Sequence, residues 1–308
     1  MDLEGAGKAE TNRVKRARGI DGWIDGAGWL DGPAEFVQGA ILGFYKNLGG
    51  PGQLLKDLLH GTKPLGHPLH PALTDVPLGA FSVMFIADWI ALFTPSVPTI
   101  VGKLSLIVGI FGMVGAALSG YTDYTGTFGR ERRYATTHGL VMSLSLVAMI
   151  VSLVLRQVNL TLPAMVVSSL AFLVILFGAY LGGHLSFGFG TMVNRNAFVE
   201  GVSEWTAVGR SADFADGSQV RVKAGDMPVM IVRRGNRLDA ISAVCSHAGG
   251  PLDEGELDGD IVTCPWHGSR FCITDGRVQD GPATFDQPAF LVRESGDQVE
   301  VKLPAPLH

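Results

Sequence analysis

Four long apolar stretches place the strongest constraint on what this chain can fold into. They run over about 77–93, 100–119, 139–155 and 163–183, and each is bounded by Pro, Gly, Asn or charged residues. A helix of about 20 apolar residues spans the hydrocarbon core of a bilayer. Four in succession are hard to explain as helices of a soluble core, and the mean hydropathy of +0.27 agrees. The sequence therefore predicts a four-helix transmembrane domain over 67–190.

The last third of the chain has a different character. Residues 204–308 carry 10 Lys/Arg and 16 Asp/Glu, arranged as short apolar runs between turn signals such as RGN and LDGD. This pattern predicts a soluble, all-β antiparallel domain behind a linker over 191–203, which is either a hinge or a docked amphipathic helix. The fold class is thus membrane α plus soluble all-β. The net charge of −5 is acidic, so a nucleic-acid partner is not expected.

The distribution of Lys and Arg predicts the orientation in the membrane, because cytoplasmic loops hold the excess of these residues. Eight of them precede the first apolar stretch, whereas the opposite side carries only Lys103 and Arg156. The others on the richer side are Arg130, Arg132, Arg133 and Arg195. We therefore expect a multi-pass protein of the cytoplasmic membrane with both termini cytoplasmic. No cleavable signal peptide is expected, because the first 30 residues hold no continuous apolar core.

Two segments precede the transmembrane domain. Residues 1–32 are rich in Gly, Asp and basic residues and predict a flexible N-terminal tail. Residues 33–66 resemble two short amphipathic helices interrupted at 49–52. Aromatic, aliphatic and lysine side chains mix there, which favours a position at the lipid interface over ordinary packing on the soluble domain.

Two of the three cysteines belong to the most informative motif of the soluble part. Cys245-Ser-His247 is followed, after 16 intervening residues, by Cys264-Pro-Trp-His267. Each short loop offers one thiolate and one imidazole, so the two can enclose one inorganic core from opposite sides. A Cys2His2 zinc site is the alternative, but common zinc spacings pair Cys with Cys and His with His.

The segments CSHAGGPL and CPWHGSRF closely resemble the Rieske iron–sulfur family, over about residues 204–303. The resemblance implies a [2Fe–2S] cluster with Cys245 and Cys264 on one iron and His247 and His267 on the other. It also implies that Ser269 donates a hydrogen bond to the cluster.

This sequence departs from the high-potential members of that family. The positions of their two disulfide-forming cysteines hold Gly250 and Trp266. The tyrosine expected two residues after Ser269 is Phe271, which cannot donate a hydrogen bond. Fewer donors to the cluster sulfurs predict a lower, ferredoxin-like potential.

Histidines gather at the cytoplasmic end of the predicted bundle. His67, His70, His138 and His184 all fall there if the four spans alternate in direction. One histidine at a helix end is usually a cap or a snorkelling group, but four at one depth favour a metal or haem site. We expect bis-imidazole ligation of a b-type haem by His70 and His138, with His67 and His184 as alternates or a second pair.

Charged residues of the bundle have more than one candidate role. Arg130, Arg132 and Arg133 are candidates for binding haem propionates, although anchoring on the positive-inside side explains them equally well. Asp88 lies within the first span, and we expect it either to face the bundle interior or to cap a contact beside Trp89; a proton-relay role is the remaining alternative.

The motifs HPLHPALTDVPLG, GYTDYTG and RRYATTH are similar to those of a family of bacterial four-helix membrane proteins, domain of unknown function 2231, over about 65–185. Together the two resemblances imply a membrane-bound electron carrier, an oxidoreductase component. It would exchange electrons with a soluble donor or acceptor, with haem and with quinone. The alternative is a non-redox anchor or solute-binding bundle whose Rieske head senses redox state or serves a separate enzyme.

Overall fold

The computed structural model describes residues 19–63, 65–94, 98–198 and 201–304. Of these, the residues up to 189 are mainly helical, and those from 206 form a β domain. The described helices are α1 Ile20–Gly26, α2 Asp31–Asn47, α3 Gly50–His60, α4 Leu69–Phe93, α5 Ile100–Tyr124, α6 Gly129–Gln157 and α7 Thr161–His184, with a π-helical turn over Leu185–Phe189.

Helices α4 to α7 form the bundle, and each is long and apolar enough to cross a membrane. α4 packs along α5 and α6 along α7, so the bundle has two layers. The interior where the layers meet is filled by Phe81, Met84, Leu106 and Met149, all fully buried. Large apolar side chains such as Phe111 cover the outer surface, as contact with lipid requires.

Two helices begin well before their apolar stretches. α4 starts at Leu69 and α6 at Gly129, because the polar segments HPALTD and RERRYATT continue the helix beyond the hydrocarbon-like region. His138 therefore lies more than two turns inside α6 rather than at its beginning. His70 remains in the first turn of α4.

The N-terminal helices pack against the bundle. Ile24 and Leu30 are buried, and Ile24 contacts a cluster that includes Tyr134 and Leu181. Residues 20–30 are thus helical and packed rather than a flexible tail, since Ile20, Ile24 and Ala27 recur at helical spacing and give α1 an apolar face. The rest of the predicted tail, 1–18, lies outside the described residues.

Three arginines at the start of α6 bind these N-terminal helices. Each forms an ion pair with a carboxylate of the same chain. The pairs are Arg130–Asp25 at 2.5 Å, Arg132–Glu35 at 2.8 Å and Arg133–Asp31 at 2.6 Å. These guanidinium groups already have anionic partners, so the propionate-binding role suggested by the sequence has no support here.

The β domain consists of two antiparallel sheets. The six-stranded sheet has the order β1-β10-β9-β4-β3-β2, and the four-stranded sheet has the order β5-β6-β7-β8. Their bounds are β1 Thr206–Arg210, β2 Gln219–Ala224, β3 Met227–Arg234, β4 Arg237–Ser242, β5 Glu256–Asp258, β6 Ile261–Thr263, β7 Arg270–Cys272, β8 Val278–Asp280, β9 Ala289–Ser295 and β10 Gln298–Lys302. Met230, Ile241, Val262 and Phe271 join the two sheets in one buried core.

The described part of the predicted linker is docked rather than free. Residues 191–198 form turns. The Arg195 N–H donates to the Ser246 carbonyl at 3.1 Å, and the Asn196 side-chain amide donates to the Val244 carbonyl at 3.0 Å. Asn196 is buried. These bonds attach the exit of the bundle to the β domain through backbone groups, without the amphipathic helix considered from sequence.

Asp88 faces the bundle interior, where it pairs with Arg156 of α6. Both side chains are about 5% exposed, and the guanidinium donates two hydrogen bonds to the carboxylate. Arg156 also donates to the buried Ser168 hydroxyl of α7 at 3.3 Å. One buried ion pair therefore connects three of the four membrane helices.

Replacing Asp88 with Ala should destabilise the bundle by about 3–5 kcal/mol, because Arg156 would remain buried without its counter-charge. Thermal unfolding of the purified protein in detergent measures the effect. The double variant Asp88→Leu/Arg156→Met removes both charges and should recover most of the lost stability. Equal losses in the single and double variants would contradict this account.

Candidate metal centre

Two loops of the β domain have the same backbone design. The first follows β4 and begins at Cys245; the second joins β6 to β7 and begins at Cys264. In each, a glycine four residues later donates its N–H to the cysteine carbonyl: Gly249 at 2.9 Å and Gly268 at 3.0 Å. Both glycines have positive φ, +83° and +72°, which a residue with a side chain adopts only with strain. The loops are therefore two copies of one tight turn, each presenting a cysteine.

The two cysteine thiols lie together in the interior. Cys245 and Cys264 are 1% and 2% exposed and hydrogen-bond to each other. That bond lowers the pKa of Cys264 to about 6 and raises the pKa of Cys245, since the pair shares a proton. The backbone N–H groups of His247 and Ala248 act to lower the pKa of Cys245, and those of Trp266 and His267 act to lower the pKa of Cys264. The pair therefore favours one thiolate, that of Cys264, and metal binding would displace the proton that the two sulfurs share.

The two imidazoles of the motif also lie together. The Nδ1 atoms of His247 and His267 are 3.1 Å apart, and the ring planes are nearly perpendicular. Burial lowers the pKa of His247 to about 3, and burial likewise lowers the pKa of His267. Both rings are therefore neutral at physiological pH, as metal ligands must be. Two nitrogens at this spacing can share one metal ion with bonds of about 2.0–2.1 Å.

All four predicted ligands come together as a thiol pair and an imidazole pair. A zinc site requires its ligands around a single ion. Within the described ranges, no group of three or more His, Cys, Asp or Glu side chains has an arrangement suited to one ion. A two-iron core takes thiolates on one iron and imidazoles on the other, and a thiol pair with a separate imidazole pair fits that division.

The residues around the thiol and imidazole pairs match the differences from high-potential Rieske proteins that the sequence shows. The fully buried Ser269 Oγ accepts the Ala283 N–H at 3.2 Å and retains its own proton for donation. Phe271 is fully buried. A Cβ on Gly250 would lie 3.1 Å from the Trp266 ring, so the two positions are neighbours without a disulfide.

The imidazole side of the site faces the membrane domain. The His267 ring stacks on Phe128, with centroids 4.0 Å apart and planes 11° from parallel. Phe128 lies between α5 and α6. Sequence reasoning missed this contact, since a single Phe in the segment GTFGR carries no recognisable signal.

A third loop of the β domain also touches the membrane domain. It follows β8, and its Pro282 packs on Gly126, where a Cβ would lie 2.5 Å from the proline ring. The Pro282 carbonyl accepts a hydrogen bond from His60 Nε2 at 3.0 Å. Lys56 pairs with Asp280 at 3.0 Å. The sequence offered no role for His60.

Two of the four predicted haem ligands lie close together. The rings of His70 and His138 have centroids 6.3 Å apart and are nearly perpendicular. His70 Nδ1 donates to the Ala116 carbonyl and His138 Nδ1 to the Gly178 carbonyl, both at 2.8 Å. Because carbonyls only accept, the proton of each ring is on Nδ1, and the Nε2 lone pair is left for another partner.

The alternate pair is not formed. His184 stacks on Tyr134 at 4.8 Å and contacts Phe189. His67 is exposed and lies beside Phe285 of the β domain. His184 and His67 therefore pack in different surroundings and do not face each other. Of the four histidines, only His70 and His138 face each other across the layers.

Comparisons with known proteins were made for the whole chain. The family model of the Rieske [2Fe-2S] domain matches residues 204–292, and that of the predicted membrane protein family DUF2231 matches 66–195. The ferredoxin component of biphenyl 2,3-dioxygenase from Rhodococcus jostii (strain RHA1) is 35% identical over 98 residues, 32% of this chain and 92% of that protein. Ferredoxin CarAc from Metapseudomonas resinovorans is 33% identical over the same shares.

Among solved structures, the ferredoxin of carbazole 1,9a-dioxygenase from Nocardioides aromaticivorans IC177 is 28% identical, with a TM-score of 0.32; the match covers 33% of this chain and 100% of that one. The curated ferredoxins thus match one third of this chain over nearly their whole length. The chain belongs to the Rieske [2Fe-2S] family, and it joins that domain to a DUF2231 domain in one multi-pass membrane protein.

Proposed function

We propose that this protein is a membrane-bound one-electron carrier that connects a soluble redox protein with a haem b in its bundle. The observation that carries the proposal is the stack of His267 on Phe128, which puts the imidazole side of the cluster site against the membrane domain. A membrane anchor that only tethers the Rieske domain would not require this contact.

In this proposal Cys245 and Cys264 hold one iron, and His247 and His267 hold the other. When bound, the cluster and the haem each take up and release one electron. The protein contributes a buried pair of neighbouring thiols that share a proton and a pair of neutral imidazole rings. The hydroxyl of Ser269 is free to donate a hydrogen bond to the cluster.

His70 and His138 are the proposed haem ligands. Their ring centroids lie 6.3 Å apart, and each Nε2 would be available to bind the iron, which would supply one-electron chemistry in the bundle. Hydrogen bonds from Nδ1 to carbonyl groups are the usual way in which a ligating histidine is oriented. Here those carbonyls belong to α5 and α7, so each layer of the bundle fixes the ring that its own helix pair carries.

We place the Rieske domain and both termini on the cytoplasmic side, on the distribution of Lys and Arg. A soluble electron donor or acceptor is then the partner on the water side, since one matched relative is the ferredoxin component of biphenyl 2,3-dioxygenase. Quinone is the proposed partner in the lipid. Exposed apolar side chains on α2 and α3, among them Phe36, Phe44 and Leu54, support an interfacial position for 33–66.

The ligand assignment predicts that His267→Ala lowers cluster content at least tenfold, because one iron loses half of its protein ligands. Iron and sulfide analysis and the EPR spectrum of the reduced protein measure this. Cys272→Ser is the matched control: its thiol is half-buried and contacts Thr274, so the cluster should be retained. An unaltered spectrum in His267→Ala would refute the assignment.

The haem assignment predicts that His70→Ala and His138→Ala each abolish the low-spin absorbance of the reduced protein and leave the cluster EPR signal intact. His184→Ala is the control on the same bundle and should keep the haem. If dithionite-reduced membranes containing the wild-type protein show no haem α-band, the bundle is a non-redox anchor or solute-binding module, and the head is a redox sensor or serves a separate enzyme.

A further inference from the structure

His60, the last residue of α3, is buried at the boundary between the membrane domain and the β domain. It is 3% exposed, and both ring nitrogens are hydrogen-bonded. Nδ1 lies 2.6 Å from Asp123 Oδ1 of α5, and Nε2 lies 3.0 Å from the Pro282 carbonyl. One side chain thus connects a membrane helix with the loop that adjoins the cluster-binding loops.

The donor and acceptor roles follow from the partners. The Pro282 carbonyl only accepts, so His60 Nε2 carries a hydrogen and donates it. One further proton lies between Nδ1 and Asp123 Oδ1, since two lone pairs would otherwise face each other. Asp123 is 9% exposed, and its second oxygen has no partner among the described residues, so within the described part of the chain this carboxylate is directed at His60.

The backbone around His60 holds the ring in place from the membrane side. Ser119 of α5 is fully buried and donates to the Leu59 carbonyl at 2.7 Å. Gly61 ends α3 in the left-handed region, with φ +88°, and a Cβ there would lie 2.0 Å from the His67 carbonyl oxygen. The end of α3 is therefore fixed on α5, and the Nε2 atom of the His60 ring points to the β domain.

Other polar contacts join this part of the membrane domain to the end of β8. Gln53 and Lys56 of α3 bind Asp280 at 3.2 and 3.0 Å, and Lys63, which follows α3, reaches the Gln279 carbonyl. Asp280 is 37% exposed and Lys63 50%, and water and salt weaken such contacts. The His60 ring, 3% exposed, is better protected from water.

We infer that His60, oriented by Asp123, is a positioning residue that fixes the third loop and thereby holds the cluster site in the orientation in which His267 stacks on Phe128. The consequence, a fixed distance between the cluster and the bundle, rests on the proposed function. The contact of the third loop with His60, which we call the dock, does not require haem and can be measured without it.

Hydrogen–deuterium exchange of the full-length protein in nanodiscs tests the dock. In His60→Leu, exchange over residues 279–285 should rise tenfold or more, while exchange in α4 to α7 stays unchanged and shows that the protein is folded. His60→Gln keeps an amide donor for the Pro282 carbonyl and should stay closer to wild type. Unchanged exchange over 279–285 in His60→Leu would overturn the inference.

Asp123 supplies a second, independent pair of variants. In Asp123→Asn the side-chain amide can donate to His60 Nδ1, so Nε2 still donates to Pro282 and the dock should be kept. Asp123→Leu removes the orienting group and should behave like His60→Leu. If Asp123→Asn and Asp123→Leu change hydrogen exchange equally, Asp123 does not orient His60.

Orientation of the cluster gives a readout that a general loss of stability would not change. EPR spectra of the reduced protein in stacked membrane multilayers should depend on the angle to the field in wild type and in His60→Gln. The angular dependence should be lost in His60→Leu at equal cluster content. Angular dependence retained in His60→Leu contradicts the inference, whereas a wild-type protein without a Rieske-type spectrum contradicts the proposed function and leaves the exchange test in force.

Discussion

The contact between the imidazole side of the cluster site and the membrane domain is the interaction on which the rest of this structure depends. Stacking of His267 on Phe128 and packing of Pro282 on Gly126 need two surfaces that fit closely. A mobile Rieske domain would expose the His247 and His267 rings to water for part of the time. A docked Rieske domain keeps the imidazole side of the cluster site against one fixed surface of the bundle.

This dock also explains the N-terminal helices. α3 carries His60 to the boundary, and α1 and α2 hold the start of α6 through three ion pairs with its arginines. The segment before α6 contains Phe128, so the same ion pairs steady the surface on which the head rests. Residues that the sequence divides between a tail and an interfacial segment therefore form one support for the cluster site.

Much of this could be predicted from the sequence, and the reason is local chemistry. Four apolar stretches predicted four membrane helices, and two Cys/His loops predicted the thiol and imidazole pairs, because each signal lies within a short window. The haem-ligand expectation stays a prediction: His70 and His138 face each other, whereas His184 stacks on Tyr134. Contacts such as His60 with Pro282 join residues more than 200 positions apart, and no local pattern predicts them.

The lower potential predicted from sequence acquires a structural basis at the dock. With two thiolates and two neutral imidazoles, reduction adds one negative charge to the cluster site, and hydration would stabilise that charge. Cys245 and Cys264 are buried, and Phe128 covers one face of the His267 ring, so less water reaches the site. Phe271 has no hydroxyl group that could donate a hydrogen bond instead. Both features disfavour the reduced state, so a lower, ferredoxin-like potential remains the prediction for this site.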